Sequence, residues 1–179
     1  MKKQLPVLAI ALCICFISCM NRVDAPAVSA ATQKNLDANR AIMKTFETQD
    51  FSKLGDYIAT DAVDHSGEHG DIKGLDSIKA MFVKSEGDIV NPKIDIIKEL
   101  GDDQYVMSWN TFTGVYKTDG MGHKAGDTLT MKSLDVSRFV DGKAVEHWLL
   151  MEPGDVMKMM ASMQPKMAMD SDSTKMKKH

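Results

Sequence analysis

The residues able to do chemistry in this chain are few and scattered. His147 lies in the run Ala144 to Glu152, where alternation puts Val145, His147, Leu149 and Met151 on one face and Glu146, Trp148 and Leu150 on the other. His147 is the one ionisable group on its face. An imidazole titrating near ~6.5 relays protons at neutral pH, which makes it a candidate general base, although a hydrogen-bonded core histidine fits the same pattern. His65 follows Asp64 at the end of a short extended piece. Strand neighbours point to opposite faces, so only one of that pair looks inward; His65 is read as the inward one, an assistant to His147. Asp135 stands between Ser133 and Ser137 on one face of its strand. Facing inward it is a further acid or base; facing outward it is simply solvated. Trp109, sharing a face with Tyr105, Met107 and Thr111, offers a flat apolar wall suited to a ring-shaped ligand, or ordinary core packing. With Val145, Leu149 and Met151 it makes up the expected ligand-binding lining.

Other chemistries lack their residues. The three cysteines are Cys13, Cys15 and Cys19, so the body of the chain has no thiol to pair, to ligate a metal or to attack a substrate. His65, Glu68 and His69 sit in a Gly-rich loop where a four-residue spacing fixes no common face, and no metal site is expected there. The Met-rich end (Met157, Met159, Met160, Met163, Met167, Met169, Met176) suits Cu(I) through soft thioethers, so copper handling stands as an alternative to plain packing. Phosphate-binding loops, dinucleotide fingerprints and Gly-x-Ser-x-Gly elbows are absent, and no cofactor is expected. Acidic residues outnumber basic ones, 25 to 22, and the basic residues form no cluster before Lys175 to Lys178, which argues against nucleic acid as a partner.

The chain of 179 residues, 44% hydrophobic and 26% charged, is long enough for one domain. Lys34 to Thr48 places Leu36, Ile42, Met43 and Phe46 on one side of a helix. Phe51 to Ile58 gives a second, short helix, and Ala59 to His65 a turn into a brief extended piece. Leu75 to Val83 gives a third helix. The period then changes. Lys93 to Leu100, Gln104 to Lys117, Thr128 to Val140 and Ala144 to Glu152 read as four antiparallel strands, the last two joined by Asp141-Gly142. Three helices followed by a meander define an α+β fold, with a short final helix to about Met163.

Lys2 and Lys3 precede an apolar run of roughly 13 residues, short for a ~20-residue membrane span and right for an export signal. Phe16-Ile17-Ser18-Cys19 resembles a bacterial lipobox, in which Cys19 becomes the lipidated first residue. The expected organisation is therefore a signal peptide over 1–18, a lipidated linker over 19–32, the α+β domain over 33–163 and a disordered Met-rich tail over 164–179. Acyl chains on Cys19 would tether the domain to a membrane of the cell envelope, facing the periplasm or exterior.

Four stretches carry a family resemblance: Asn39 to Phe46 with Asp50 and Leu54; Asp61-Ala62-Val63-Asp64-His65; Val136 to Lys143; and Ala144-Val145-Glu146-His147-Trp148. Together they resemble the SnoaL-like polyketide cyclases of the nuclear transport factor 2-like superfamily, the Arg138-Phe139 to Trp148 hairpin most specifically. The resemblance implies a cone of curved sheet closed by helices around a deep, mostly apolar pocket, often in a homodimer. It also implies an acid two places after the histidine of the last strand, where this chain has Leu149. Leucine accepts no proton, so the expected function is binding of a small, largely apolar molecule without ring closure. The alternative is an enzyme acting next to a carbonyl through His147, with His65 or Asp135 assisting.

Overall fold

The computed structural model describes residues 28–163 other than Glu68 and Met121. The leader, Cys19, most of the linker, Glu68 and the tail from 164 onward lie outside the described residues. In chain order the elements are α1 (Ala30–Thr48), α2 (Leu54–Tyr57), β1 (Ile58–Asp64), β2 (Ile72–Lys73), α3 (Leu75–Glu86), β3 (Ile89–Gly101), β4 (Tyr105–Tyr116), β5 (Thr128–Val140), β6 (Lys143–Met151) and α4 (Pro153–Met163). The fold is α+β, with a curved sheet and helices. Among the described residues no helix is long and apolar enough to cross a membrane.

The expected four-strand meander is present as β3 to β6, and two strands join it. The sheet has six strands in the order β2-β1-β6-β5-β4-β3, with β1 parallel to β6 and β2 a two-residue antiparallel edge. The extended piece before His65 thus becomes a full strand because the far end of the chain supplies its partner. At the opposite edge β3 starts four residues earlier than its alternation suggests. Pro92 lies within it, where the register shifts between Val90 and Lys93 and Asn91 takes φ 52°. An edge strand with a bulge tolerates a proline, since no ladder donor is lost to a neighbour. The β5–β6 hairpin turns as expected at Asp141-Gly142, both with positive φ (52° and 79°), as a tight two-residue turn requires.

Helix α1 begins at Ala30, inside the stretch read as linker. Ser29 Oγ accepts from the Thr32 amide at 3.0 Å and caps it, and the Thr32 hydroxyl donates to Asp103 at 2.6 Å in the β3–β4 turn. The helix buries a polar row as deeply as an apolar one. Asn35 and Asn39 are both buried; Asn39 Nδ2 donates to Ser108 Oγ at 2.9 Å and to Glu99 Oε1 at 3.2 Å, while Arg40 holds Glu99 Oε2 at 2.7 Å. The predicted stripe of Leu36, Ile42, Met43 and Phe46 is only half-buried, because Ile42, Met43 and Phe46 look into a cavity instead of solid core.

The solid core lies beside that cavity, where Leu54, Val106, Phe139, Ala62 and Ile78 are all buried. Phe46, Phe51 and Phe82 pack in edge-on and tilted contacts with centroids 4.6 to 6.0 Å apart. Gly114 lets β3 and β4 come together at their far end: a Cβ there would sit 2.4 Å from Ile89 Cγ2. Gly114→Ala should therefore lower stability by about 1–3 kcal/mol through overpacking, measured by urea denaturation.

Candidate functional site

Between α1, α3 and the concave face of the sheet lies a cavity of about 320 Å³. Most of its wall is apolar, from Ile42, Phe46, Phe82, Ile94, Phe112 and Met131. One part is not. The register sets Asp64 of β1 beside His147 of β6, and Asp135 of β5 opposite Leu149 of β6. These pairings bring two carboxylates to one imidazole. His147 Nδ1 is 2.9 Å from Asp64 Oδ2, and its Nε2 is 3.3 Å from Asp135 Oδ1. Asp64 is almost wholly buried, and its other oxygen accepts from the Ser66 amide at 2.8 Å and from the Ser66 hydroxyl. Asp135 Oδ2 accepts from Asn110 Nδ2 and from Ser133 Oγ, both at 2.8 Å.

Burial works against a charge on His147, but hydrogen bonds and attraction from Asp135 and Asp64 outweigh it and raise its pKa to about 9. Burial likewise opposes the charge on Asp64, yet its bonds to His147 and Ser66 hold its carboxyl below the ordinary value. At neutral pH the imidazole is therefore a cation donating from both nitrogens. This corrects the reading of His147 as a free neutral base: it lines the cavity as expected, and both of its nitrogens are engaged.

Asp135 faces inward between the buried Ser133 and Ser137, so the inward alternative holds for it. Asp64, not His65, is the inward member of its pair. His65 lies on the other face, its ring stacked on Trp148 at 4.7 Å and its Nδ1 2.9 Å from Asp71. It does not line the cavity. Leu149 does, but Val145 and Met151 do not. For Val145 the cause is a register shift between Arg138 and Phe139, where the β6 partners jump from Glu146 to Ala144 and leave Val145 unmatched; Met151 keeps the parity of His147 and Leu149 but is the last residue of β6. The bulge resets the alternation, so Ala144 and His147 point the same way across it. Trp109 is 41% exposed on the outer face, because β4 turns Val106, Ser108 and Asn110 inward. Asn110 also lines the cavity, and the sequence does not single it out. Its signal was alternation with buried Val106, masked by the greater hydropathy of Met107 and Trp109 on the opposite face.

Among the described residues no group of three or more His, Asp or Glu side chains is arranged to hold a metal ion. Fold and site together define a cone-shaped α+β domain with an interior pocket and an acid–base cluster on its sheet wall. Residues 36–161 match the family described as SnoaL-like polyketide cyclase, and the chain belongs to that family. None of the curated proteins matches it. Solved structures share the fold at low identity. A SnoaL-like polyketide cyclase from Agrobacterium tumefaciens is 16% identical, with TM-score 0.58, covering 70% of this chain and 97% of its own. IdmH from Streptomyces antibioticus is 18% identical, with TM-score 0.61, covering 71% and 98%. A LEH-like epoxide hydrolase of M. tuberculosis is 15% identical, with TM-score 0.59, covering 73% and 91%.

The cluster has a stability signature. His147 carries its proton more tightly folded than unfolded, so its contribution is complete below pH ~6.5 and disappears as pH rises through about 9. Thermal unfolding of the protein should show stability falling across that window by on the order of 3 kcal/mol. His147→Gln should remove most of this slope and cost about 3–5 kcal/mol at neutral pH, since the Asp64 carboxylate would be left buried without its cation.

Proposed function

We propose that the chain is an acid–base enzyme that takes a small, largely apolar carbonyl compound into its cone pocket and moves a proton at the carbon next to the carbonyl. The observation that carries this reading is Asp135. It reaches the cavity from β5 directly opposite Leu149, so the neighbouring strand offers a carboxylate at the level where β6 has a leucine. In the proposed step an Asp135 oxygen takes the proton from the α-carbon, the C–H electron pair moves into the new C=C bond, and the carbonyl oxygen becomes an enolate. Asp135 ends as a neutral acid beside the His147 cation, whose charge Asp64 balances. The enolate thus forms without an uncompensated carboxylate next to it. Return of the proton to another carbon, or attack of the enolate on a second carbonyl, would complete an isomerisation or a ring closure.

A second reading, binding without turnover, has its own support. Leu149 stands where the family's cyclases are expected to carry an acid, and both Asp135 oxygens already accept hydrogen bonds. One experiment separates the two readings. Exchange of the acetyl protons of 2-acetonaphthone in deuterated buffer, followed by NMR, should be faster with the protein than without it. Asp135→Asn should reduce that acceleration by roughly 100-fold or more while leaving binding of the ketone intact. Binding with no acceleration over buffer would leave the pocket as a carrier site.

The domain is further proposed to work as a homodimer tethered to the cell envelope through Cys19. Support for the dimer comes from the outer sheet face, where Leu100 pairs with Met107, and Trp109 with Leu134 and then Leu150, all 37% exposed or more. A row of large apolar side chains across three or four strands suits an isologous contact with a second copy. Light scattering at micromolar concentration should give a dimer for the wild type and a monomer for Trp109→Glu; a monomeric wild type would remove the proposal. Copper handling keeps only the sequence of its Met-rich tail in support.

A further inference from the structure

The cavity has a second polar feature, far from His147. Glu86 is the last residue of α3 and lines the same cavity. Its Oε2 is buried and, among the described residues, has no hydrogen-bond partner. The backbone around it is firmly held. Gln49 Nε2 donates to the Glu86 carbonyl at 3.0 Å and to the Ile89 carbonyl at 2.9 Å, and Lys117 Nζ donates to the Gly87 carbonyl at 2.8 Å. Rigid backbone and free side chain occur together at one residue.

An unpaired carboxyl in this place is costly three times over. It is desolvated, it stands at a helix C-terminus where the backbone dipole disfavours an anion, and no base among the described residues answers it. Burial alone pushes its pKa up to about 7. A buried polar atom without a partner calls for one from outside the chain. The carboxyl has a broad terminal torsion, so either oxygen can turn toward the cavity without moving the helix.

Its position fixes the shape of what would meet it. His147 sits on β6 between β1 and β5, whereas Glu86 leads into β3, whose first residue pairs with the end of β4. From β6 to β3 is three strand spacings, roughly 14 Å across the sheet, and Ile89 lies opposite Tyr116 whereas His147 lies at the level of Val106, so the two ends are also offset along the strands. Between them the wall is Phe46, Phe82, Ile94, Phe112 and Met131.

We propose that Glu86 is a second ligand-binding subsite, receiving an O–H or N–H donor at the far end of an elongated, apolar-bodied molecule whose carbonyl end lies at the Asp135–His147 cluster. The proposal rests on the pocket being a ligand site, and it adds a bipolar ligand with its donor opposite the reacting end.

Three probes of one shape test it by fluorescence titration of the full chain: 2-acetonaphthone, 6-hydroxy-2-acetonaphthone and 6-methoxy-2-acetonaphthone. The hydroxy compound should bind roughly five- to tenfold more tightly than the other two, the worth of one hydrogen bond to a buried acceptor. Glu86→Leu should abolish that preference, keep the affinity for 2-acetonaphthone, and unfold at a temperature no lower than the wild type, because it removes an unpaired buried carboxyl. Equal affinities in the wild type, or a hydroxyl preference that survives Glu86→Leu, would overturn the subsite while leaving the pocket reading intact. Failure of all three ketones to bind would overturn both together.

Discussion

The clamp of two carboxylates on one imidazole is the interaction on which the rest of the structure turns. Asp64, Asp135 and His147 come from three strands that lie side by side, β5 and β6 as one hairpin and β1 from far earlier in the chain, and the hydrogen bonds among them fasten β1 and β5 to the two sides of β6. A charge at this depth is tolerable only because each partner is answered. Asp64 is answered by Ser66 as well as His147, and Asp135 by Asn110 and Ser133. The same set of bonds that makes the charges affordable also fixes their orientation, leaving Asp135 at the surface of the cavity.

Around the clamp the sheet inverts the usual distribution of polarity. Its inner face carries Ser108, Asn110, Ser133, Asp135 and Ser137, and its outer face Met107, Trp109, Leu134 and Leu150. An ordinary half-buried sheet has the opposite arrangement. The inversion fits an inner face that walls a cavity. The helices supply the missing apolar cover, with Ile42, Phe46 and Phe82 facing the polar wall across the cavity. The pocket is thus apolar on its roof and polar on part of its floor, an asymmetry that orients whatever enters.

That inversion also decides how much was legible in the residues. The helices, the four long strands and the Asp141-Gly142 turn follow from local periodicity and turn chemistry, and they were readable. Strand β1 was readable only as a fragment, because its pairing with β6 joins residues more than eighty positions apart. The site suffered from the same non-locality. His147 and Asp135 could be named from their strands, but the choice between Asp64 and His65 depends on a parallel partner that no local pattern announces. Trp109 was misplaced because hydropathy points large apolar side chains inward, and in this sheet they point out. Val145 falls outside the cavity because of one bulged residue, which shifts a strand's parity without leaving a clear mark in its composition, and Met151 does so at the very end of β6 with its parity unchanged.

The parallel pairing of β1 with β6 has a consequence for the order of events in folding. Every other strand neighbour in the sheet is joined by a short connection, whereas this one closes a loop spanning most of the domain, and such closures carry the largest entropic cost. The hairpins of β3 to β6 can zip from local contacts, but the inward carboxylate of Asp64 reaches its imidazole only when β1 docks against β6. A nascent chain emerging residue by residue therefore holds an unfinished clamp until β6 has been released, and all three of its side chains come together in a single late step.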